Sequence, residues 1–298
     1  MKDIFYFLIF PGFLFTAIIG LLLAWVDRKV TARLQWRVGP PWYQPFADFI
    51  KLMGKEVIIP KAGSVFVFLM APVIGLIAVT LVSVILLLVL IAPGEGFGGD
   101  IIVALYLSAI PALSVIIGGF ASRNSLASLG ASREMKLMLS YELPFIIAVF
   151  VPVIISGGII SFSALLDFQR QNGIFLNHIS AVLAFVVSIM CAQAKLCLVP
   201  FDAPEAEAEI IAGGYIEYSG AALALFKLTR AMNLFVMPFF LTVIFMGANF
   251  FLFPIAVIAV ILIRNTNPRV RIDQATRFFW GPMTVMAALA AGLALLGY

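Results

Sequence analysis

The chain has 298 residues, of which 63% are hydrophobic and 11% charged, against about 45–50% and about 25% in soluble globular domains. Because the apolar residues fall in uninterrupted blocks near the ~20 helical residues that cross a ~30 Å hydrocarbon layer, a water-soluble globular protein is excluded. A net charge of +4 without any Lys/Arg-rich run argues against a nucleic-acid surface.

Eight apolar segments are predicted, at residues 4–26, 65–92, 101–121, 143–160, 179–199, 221–246, 249–263 and 279–296. The first is followed by Asp27-Arg28-Lys29 rather than by a small-residue cleavage site, so it reads as a retained span. None shows the alternation of a barrel strand, and backbone groups in lipid must be satisfied internally, so all are read as helices. The expected fold is all-α: a polytopic membrane protein of about eight transmembrane helices forming one integral membrane domain over residues 1–298, with no internal repeat.

Between the first two spans lies a loop of residues 27–64. In it Phe46, Phe49, Ile50 and Met53 fall at i, i+3, i+4 and i+7, while Asp48, Lys51 and Lys55 occupy another face. That pattern predicts an amphipathic surface helix, serving either as a positive-inside anchor or as a docking platform for a cytoplasmic subunit. Pro40, Pro41 and Pro45 make residues 37–44 a stiff turn before it. Basic residues set the orientation. The loops after the first, third, fifth and seventh spans carry fourteen of them and the opposite side only Lys2 and Arg170, which places these loops in the cytoplasm and both termini outside the cell membrane.

The loop between the fifth and sixth spans breaks this rule, with Asp202, Glu205, Glu207, Glu209 and Glu217 and no base. Asp202 and Glu205 have capping-box spacing. Glu205 and Glu209 share a helical face at i, i+4, where like charges repel, so the loop reads either as a place where protons exchange near neutral pH or as a solvated acidic face. Inside or beside the spans lie Glu142, Lys195, Lys227 and Arg230, each costing ~2.5–3.5 kcal/mol at mid-bilayer unless paired, hydrated or snorkelling to a helix end. Glu134, Met138 and Glu142 form a stripe at i, i+4, i+8 that runs into the fourth span, and Lys227 and Arg230 form a basic edge on the sixth.

Cys191 and Cys197 cannot make a four-thiolate cluster, and their spacing puts them about 240° apart on a helix. They read as small apolar fillers. The single histidine, His178, cannot supply a multi-ligand metal site, so neither redox nor zinc chemistry is expected of this chain.

In Asp27-Arg28-Lys29, Ala32-Arg33, Arg37-Val38-Gly39-Pro40, Gln44-Pro45, Asp48 and Lys51-Leu52, the sequence resembles the membrane subunit that forms the quinone chamber of respiratory complex I, and the related subunit of energy-converting group 4 NiFe hydrogenases. The resemblance continues through Gly130-Ala131-Ser132-Arg133-Glu134, Ser140-Tyr141-Glu142, Pro200-Phe201-Asp202, Glu205 to Glu209, Glu217-Tyr218-Ser219-Gly220 and the stretch 264–273. Two departures point to the hydrogenase branch. The longer Gly-rich stretch that complex I members carry after the Arg-x-Gly-Pro motif is missing, and Lys227 is similar to the lysine of hydrogenase-type members.

What the resemblance implies is the anchoring subunit of a ferredoxin-dependent complex, either an archaeal-type membrane-bound hydrogenase or its sulfane-sulfur reductase relative. The cofactors, 4Fe-4S clusters and in the hydrogenase a NiFe centre, would sit in partners: hydrogenase-like large and small subunits and an iron–sulfur subunit. Antiporter-like membrane subunits would move protons or sodium. On this chain, Arg28, Lys29, Arg33, Arg37, Gln44, Asp48, Lys51 and Arg133 would hold the cytoplasmic module. Glu134, Glu142, Asp202, Glu205, Glu207, Glu209, Glu217, Lys227 and Arg230 would form a lateral charge path. The alternatives are a quinone-chamber subunit of a complex I-type NADH or ferredoxin dehydrogenase and, from another class, a secondary transporter, since intramembrane charges also mark ion paths.

Overall fold

The computed structural model describes residues 2–61, 63–91 and 98–297, apart from the side chains of residues 2, 3, 207 and 208. Among these residues the chain forms fourteen α-helices and no strand: α1 (Lys2–Leu8), α2 (Phe13–Leu34), α3 (Gln44–Met53), α4 (Val65–Ile91), α5 (Asp100–Leu107), α6 (Ile110–Ala121), α7 (Ser125–Ile155), α8 (Phe162–Asn172), α9 (Ile179–Lys195), α10 (Glu207–Ile210), α11 (Gly220–Met246), α12 (Phe253–Thr266), α13 (Ile272–Phe278) and α14 (Thr284–Leu295). Among the described residues six stretches are long and apolar enough to cross a membrane: Ile4–Leu34, Val65–Ile91, Asp100–Ala121, Ser125–Ile155, Gly220–Met246 and Ile272–Leu295. The expected fifth and seventh spans appear as the shorter apolar helices Ile179–Lys195 and Phe253–Thr266.

The differences from the sequence expectation have local causes. The first span is broken between α1 and α2 at Phe10-Pro11-Gly12, and α2 runs past residue 26 to Leu34, so Asp27, Arg28, Lys29 and Arg33 are helical and the loop begins at Gln35. Arg, Lys, Ala and Leu continue a helix readily, and nothing there stops it. The fourth span likewise starts earlier. Asn124 caps α7, its Oδ1 accepting the Leu126 N–H at 2.8 Å, and the 31-residue helix is about 46 Å long at ~1.5 Å per residue, more than the hydrocarbon layer needs. Its N-terminal turns carry Arg133 and Glu134 on helix rather than on loop. The expected third span is two helices, α5 and α6, divided just before Pro111. The last span begins at Ile272 and includes a π-helical turn, Phe279–Met283, that holds Pro282.

The centre of the bundle is α11, against which α2, α4, α9 and α12 pack. Most of its side chains from Met232 to Met246 are buried on every face, which is how an apolar helix reads when it faces protein rather than lipid. Small and hydroxylated residues let neighbours approach. Gly20 of α2 lies so near α11 that a Cβ there would be 2.5 Å from the Ala231 carbonyl oxygen, and Thr16 and Ser83 hydrogen-bond at 2.5 Å between α2 and α4.

Pro72 inside α4 cannot donate to the carbonyl four residues back, that of Phe68. The Tyr218 hydroxyl donates to that oxygen instead, at 3.0 Å, while its ring stacks on Phe68 with centroids 4.0 Å apart. Burial pushes the Tyr218 phenol well above its ordinary value, which keeps the donor protonated. Tyr218→Phe should keep the stack and orphan the carbonyl, costing about 1–3 kcal/mol in a denaturant titration of the purified protein.

The amphipathic helix α3 is present but docks differently from the four-residue apolar face expected. Phe46 and Phe49 pack on the core, whereas Ile50 is 68% and Met53 48% exposed. Asp48 ties the helix to α2 through Arg28 Nη1 at 3.0 Å and accepts from Gln44 Nε2 at 2.9 Å. Partial burial raises the Asp48 carboxyl, but the hydrogen bonds from Arg28 and Gln44 and the charges of Arg28 and Lys51 outweigh it and hold the group below its ordinary value. A second amphipathic helix, α8, is not among the predicted elements; it buries Phe162, Leu165, Leu166 and Gln169 at i, i+3, i+4 and i+7.

Candidate functional site

After α9 the chain turns at Leu196 and Cys197, the latter at φ 49°, and runs back beside α2, α11 and α12. A cavity of about 490 Å³ opens there, walled by Asp27 and Arg28 of α2, Lys227 and Arg230 of α11, Arg264 of α12, Arg269, and Asp202 and Glu205 of the acidic loop. Each of its three acids has a basic partner from a distant part of the chain. Asp27 pairs with Arg264, Glu205 with Arg230, and Asp202 Oδ2 lies 2.7 Å from Arg269 Nη2. Arg230 also donates to the Cys197 carbonyl at 3.0 Å.

The Glu205–Arg230 pair faces inward as well. With Glu134, Lys195, Cys197, Tyr215 and Asn233 it lines a second, narrow pocket of about 40 Å³, and with Leu223, Phe226 and Lys227 a third of about 240 Å³. Burial, followed by the Glu205 charge, pushes the Tyr215 phenol far up, so a protonated hydroxyl stands beside the pair. Glu134 is buried and its Oε2 accepts from Cys197 Sγ at 3.5 Å. Deeper still, Lys195 Nζ lies 2.8 Å from Glu142 Oε2, donates to Ser108 Oγ at 3.1 Å, and sits 4.6 Å from the centre of the Phe145 ring and 5.5 Å from that of Tyr141. The Lys195 side chain is 1% exposed. Charged groups thus follow one another from an open cavity into the bundle.

Residues 7–295 match the profile of the family described as NADH dehydrogenase. The chain belongs to that family. It is 36% identical over 282 residues to a subunit of the NADH-quinone oxidoreductase of Syntrophotalea carbinolica, the one designated H, covering 85% of this chain and 84% of that one. It is 32% identical over 286 residues to the protein of the same name in Geobacillus sp. (strain WCH70), covering 88% and 84%. Among solved structures it is similar to a chain of the membrane-bound sulfane sulfur reductase, an archaeal respiratory membrane complex, with a TM-score of 0.83 at 28% identity over 95% of this chain and 96% of the other.

The stretches that carry the resemblance have structural work to do. Gly130 lets α7 touch the loop, since a Cβ there would lie 2.5 Å from Gly213 Cα. Arg133, one turn on, reaches Glu209 at 2.6 Å and the Ala203 carbonyl at 3.2 Å, and Glu134 points into the narrow pocket. In Tyr218-Ser219-Gly220 the serine hydroxyl accepts the Ile58 N–H at 2.9 Å and donates to the Glu56 carbonyl. Gly220 has φ +56° and a Cβ there would meet the Lys55 carbonyl at 2.5 Å. That motif clamps the segment between α3 and α4. In the Arg37-Val38-Gly39-Pro40 turn, the Pro40 carbonyl accepts from Trp25 Nε1 at 3.1 Å.

Several expected roles change with the geometry. Glu205 and Glu209 do not share a helical face, because Ala206, at φ −59° and ψ 100°, separates the short 3-10 turn 203–205 from α10. Asp202 makes no side-chain cap. Its carboxylate goes to Arg269 instead, since a full charge is a stronger partner than a backbone N–H. Glu209 is 60% exposed and paired with Arg133 at the surface, outside the cavity lining. Glu217 accepts from Asn124 Nδ2 at 2.5 Å and likewise lies off the lining of all three pockets. Lys227 is exposed to the cavity rather than set deep in a path, and the side chain of Glu207 lies outside the described residues.

Of the expected docking residues, Arg33, Arg37 and Lys51 are exposed and Lys29 half-buried, and Trp36 beside Arg37 in the chain is almost fully exposed. Arg28, Gln44 and Asp48 hold α3 to α2. Sequence spacing does not pair Asp27 with Arg264, Asp202 with Arg269 or Lys195 with Glu142. Charge balance was the available signal, because the acidic loop without bases and the basic stretch 264–277 are complementary. Among the described residues no group of three or more His, Cys, Asp or Glu is placed to hold a metal ion.

Proposed function

We propose that this chain is the membrane anchor and energy-coupling subunit of a ferredoxin-dependent respiratory complex of the membrane-bound NiFe hydrogenase or sulfane-sulfur reductase type. The observation that carries the reading is the Glu205–Arg230 pair, which lines the open cavity and also the narrow pocket reaching Glu134 and Lys195, with the Lys195–Glu142 pair beyond it. A redox event in a docked cytoplasmic module changes the charge near the cavity. Exchange of partners among these ion pairs then carries that change sideways into the bundle. Electrons and their 4Fe-4S or NiFe centres stay in hydrogenase-like large and small subunits and an iron–sulfur subunit, and antiporter-like subunits move the protons or sodium.

In this arrangement Arg28, Lys29, Arg33, Arg37, Gln44, Asp48, Lys51 and Arg133 face the cytoplasmic module. Asp202, Glu205, Arg230, Glu134 and Glu142 form the path, Lys195 joins it, and Lys227 lies at its mouth. Glu209 and Glu217 serve to hold the loop. Both termini lie outside the cell membrane, in keeping with the basic loops. The names of the NADH-quinone oxidoreductase relatives favour a second reading, a quinone-chamber subunit of a complex I-type dehydrogenase. Purifying the native complex through a tag on this chain separates the two. A co-purifying ferredoxin-oxidising module that reduces protons or sulfane sulfur is the expected result, and inhibitor-sensitive quinone reduction would replace it with the second reading.

A further inference from the structure

Asn233 of α11 is 5% exposed and lines the narrow pocket between the Glu205–Arg230 pair and Lys195. Among the described residues its side-chain amide has no hydrogen-bond partner. Nor is that amide sealed into the packing, as Asp27 Oδ1 and Asp202 Oδ1 are, so its polar atoms face the space of the pocket. Two more polar groups of the lining share this condition: the Tyr215 hydroxyl, and Glu134 Oε1 beside the Oε2 that Cys197 occupies. The remaining hydroxyl of the lining, that of Thr229, is already spent on the Leu225 carbonyl at 2.9 Å. An amide with two donors and an acceptor, a phenol and a carboxylate oxygen thus meet in one pocket without meeting each other, although buried polar groups are nearly always hydrogen-bonded.

Size and charge select what joins them. At about 40 Å³ the pocket is far below the ~300–1,000 Å³ of a small-molecule site, but it accommodates on the order of three waters at ~10–15 Å³ each. A metal cation would meet Lys195 and Arg230 in the same lining, which repel it. We propose that the narrow pocket holds a short water chain and that Asn233 is the positioning residue that fixes it between Glu205 and Glu134. The amide does not titrate, so it carries no proton itself; it orients waters that do. A proton on Glu205 passes to the first water while the last water gives one of its own to Glu134 Oε1. At each hop one O–H bond breaks and one forms, and no water is consumed. The transfer role rests on the charge-path reading, whereas the occupancy of the pocket by water does not.

The test uses the intact complex. A density map that resolves ordered waters should show them within hydrogen-bond reach of the Asn233 amide and Glu134 Oε1, and a pocket without water overturns the proposal before any substitution is made. Asn233→Leu keeps the side chain's length and branching but removes the amide; in inverted vesicles supplied with reduced ferredoxin it should lower the ion gradient per electron about tenfold. Asn233→Ser, which shortens the side chain but leaves a hydroxyl and room for one more water, should restore most of that ratio. A role in packing alone predicts the reverse order, since leucine fills the space and serine empties it. Glu134→Gln, measured alongside, separates the two readings. If Glu134→Gln loses translocation while an assembled Asn233→Leu complex keeps the unsubstituted ratio, Asn233 has no place in the path and the path stands. If both variants keep the ratio, the path through Glu134 falls, and the transfer role of Asn233 falls with it.

Discussion

Replacing Lys195 by Met alone is expected to destabilise the protein by about 3–5 kcal/mol, whereas the double variant Lys195→Met, Glu142→Leu is expected to fold and assemble while losing ion translocation. Lys195 is enclosed, with Glu142, Ser108 and two aromatic faces around its ammonium. Taking away the cation leaves the Glu142 carboxylate in a poor dielectric without its counter-charge, which is the costly half of breaking a buried pair. Removing both charges and keeping the volume eliminates that cost. A structural role therefore ends with recovered stability in the double variant, while a charge-path role leaves a stable complex that does not pump. The measurements are denaturant unfolding of the purified complex and, in inverted vesicles supplied with reduced ferredoxin, the ion gradient per electron delivered. A double variant translocating at the unsubstituted ratio would move the path to other residues.

Gly130→Ala is expected to dislodge the acidic loop, with a loss of about 1–3 kcal/mol characteristic of overpacking. The added methyl would fall 2.5 Å from Gly213 Cα and 2.6 Å from Gly214 N, and those are backbone atoms that cannot rotate away. Nor can the facing turn retreat easily. Gly213 is itself at φ +54° with the Pro204 carbonyl pressed against the place where a side chain would be. The loop must lift, and with it go the grip of Arg133 on Glu209 and the Ala203 carbonyl and the seating of Glu205 at Arg230. Hydrogen exchange across residues 202–217 should rise in Gly130→Ala. Ser132→Ala, two residues along on a partly exposed face, should change stability by no more than about 0.5 kcal/mol and leave exchange in the loop as it was.

The elements follow from sequence wherever lipid or core demands an unbroken apolar run, which is why α4 and α11 fall within a residue of the predicted segments. Boundaries drift where the apolar pattern ends but helix propensity does not, as in α2 beyond Val26 and α7 ahead of Leu143. In both cases the extension lifts residues of the candidate site onto helix: Asp27 and Arg28 at the cavity wall, Arg133 and Glu134 against the acidic loop. The amphipathic α8 is legible in its i, i+3, i+4, i+7 pattern, but it is too short and too polar to register as a membrane-crossing segment.

By itself the sequence determines that this is an all-helical membrane protein and that charged groups lie where lipid would exclude them. Those properties depend on composition and spacing along the chain, and a bilayer reads them one segment at a time. What only the tertiary structure decides is how the charges pair. Asp27 meets Arg264, Asp202 meets Arg269, Glu205 meets Arg230 and Glu142 meets Lys195, pairs drawn from segments distant in the chain. The five acids that look unbalanced in their own loop are thereby divided into four with described partners, three basic and one amide, and Glu207. Coulomb attraction depends on separation in space, and that separation is set by the glycines and small residues that bring helices and loops together, not by distance along the chain.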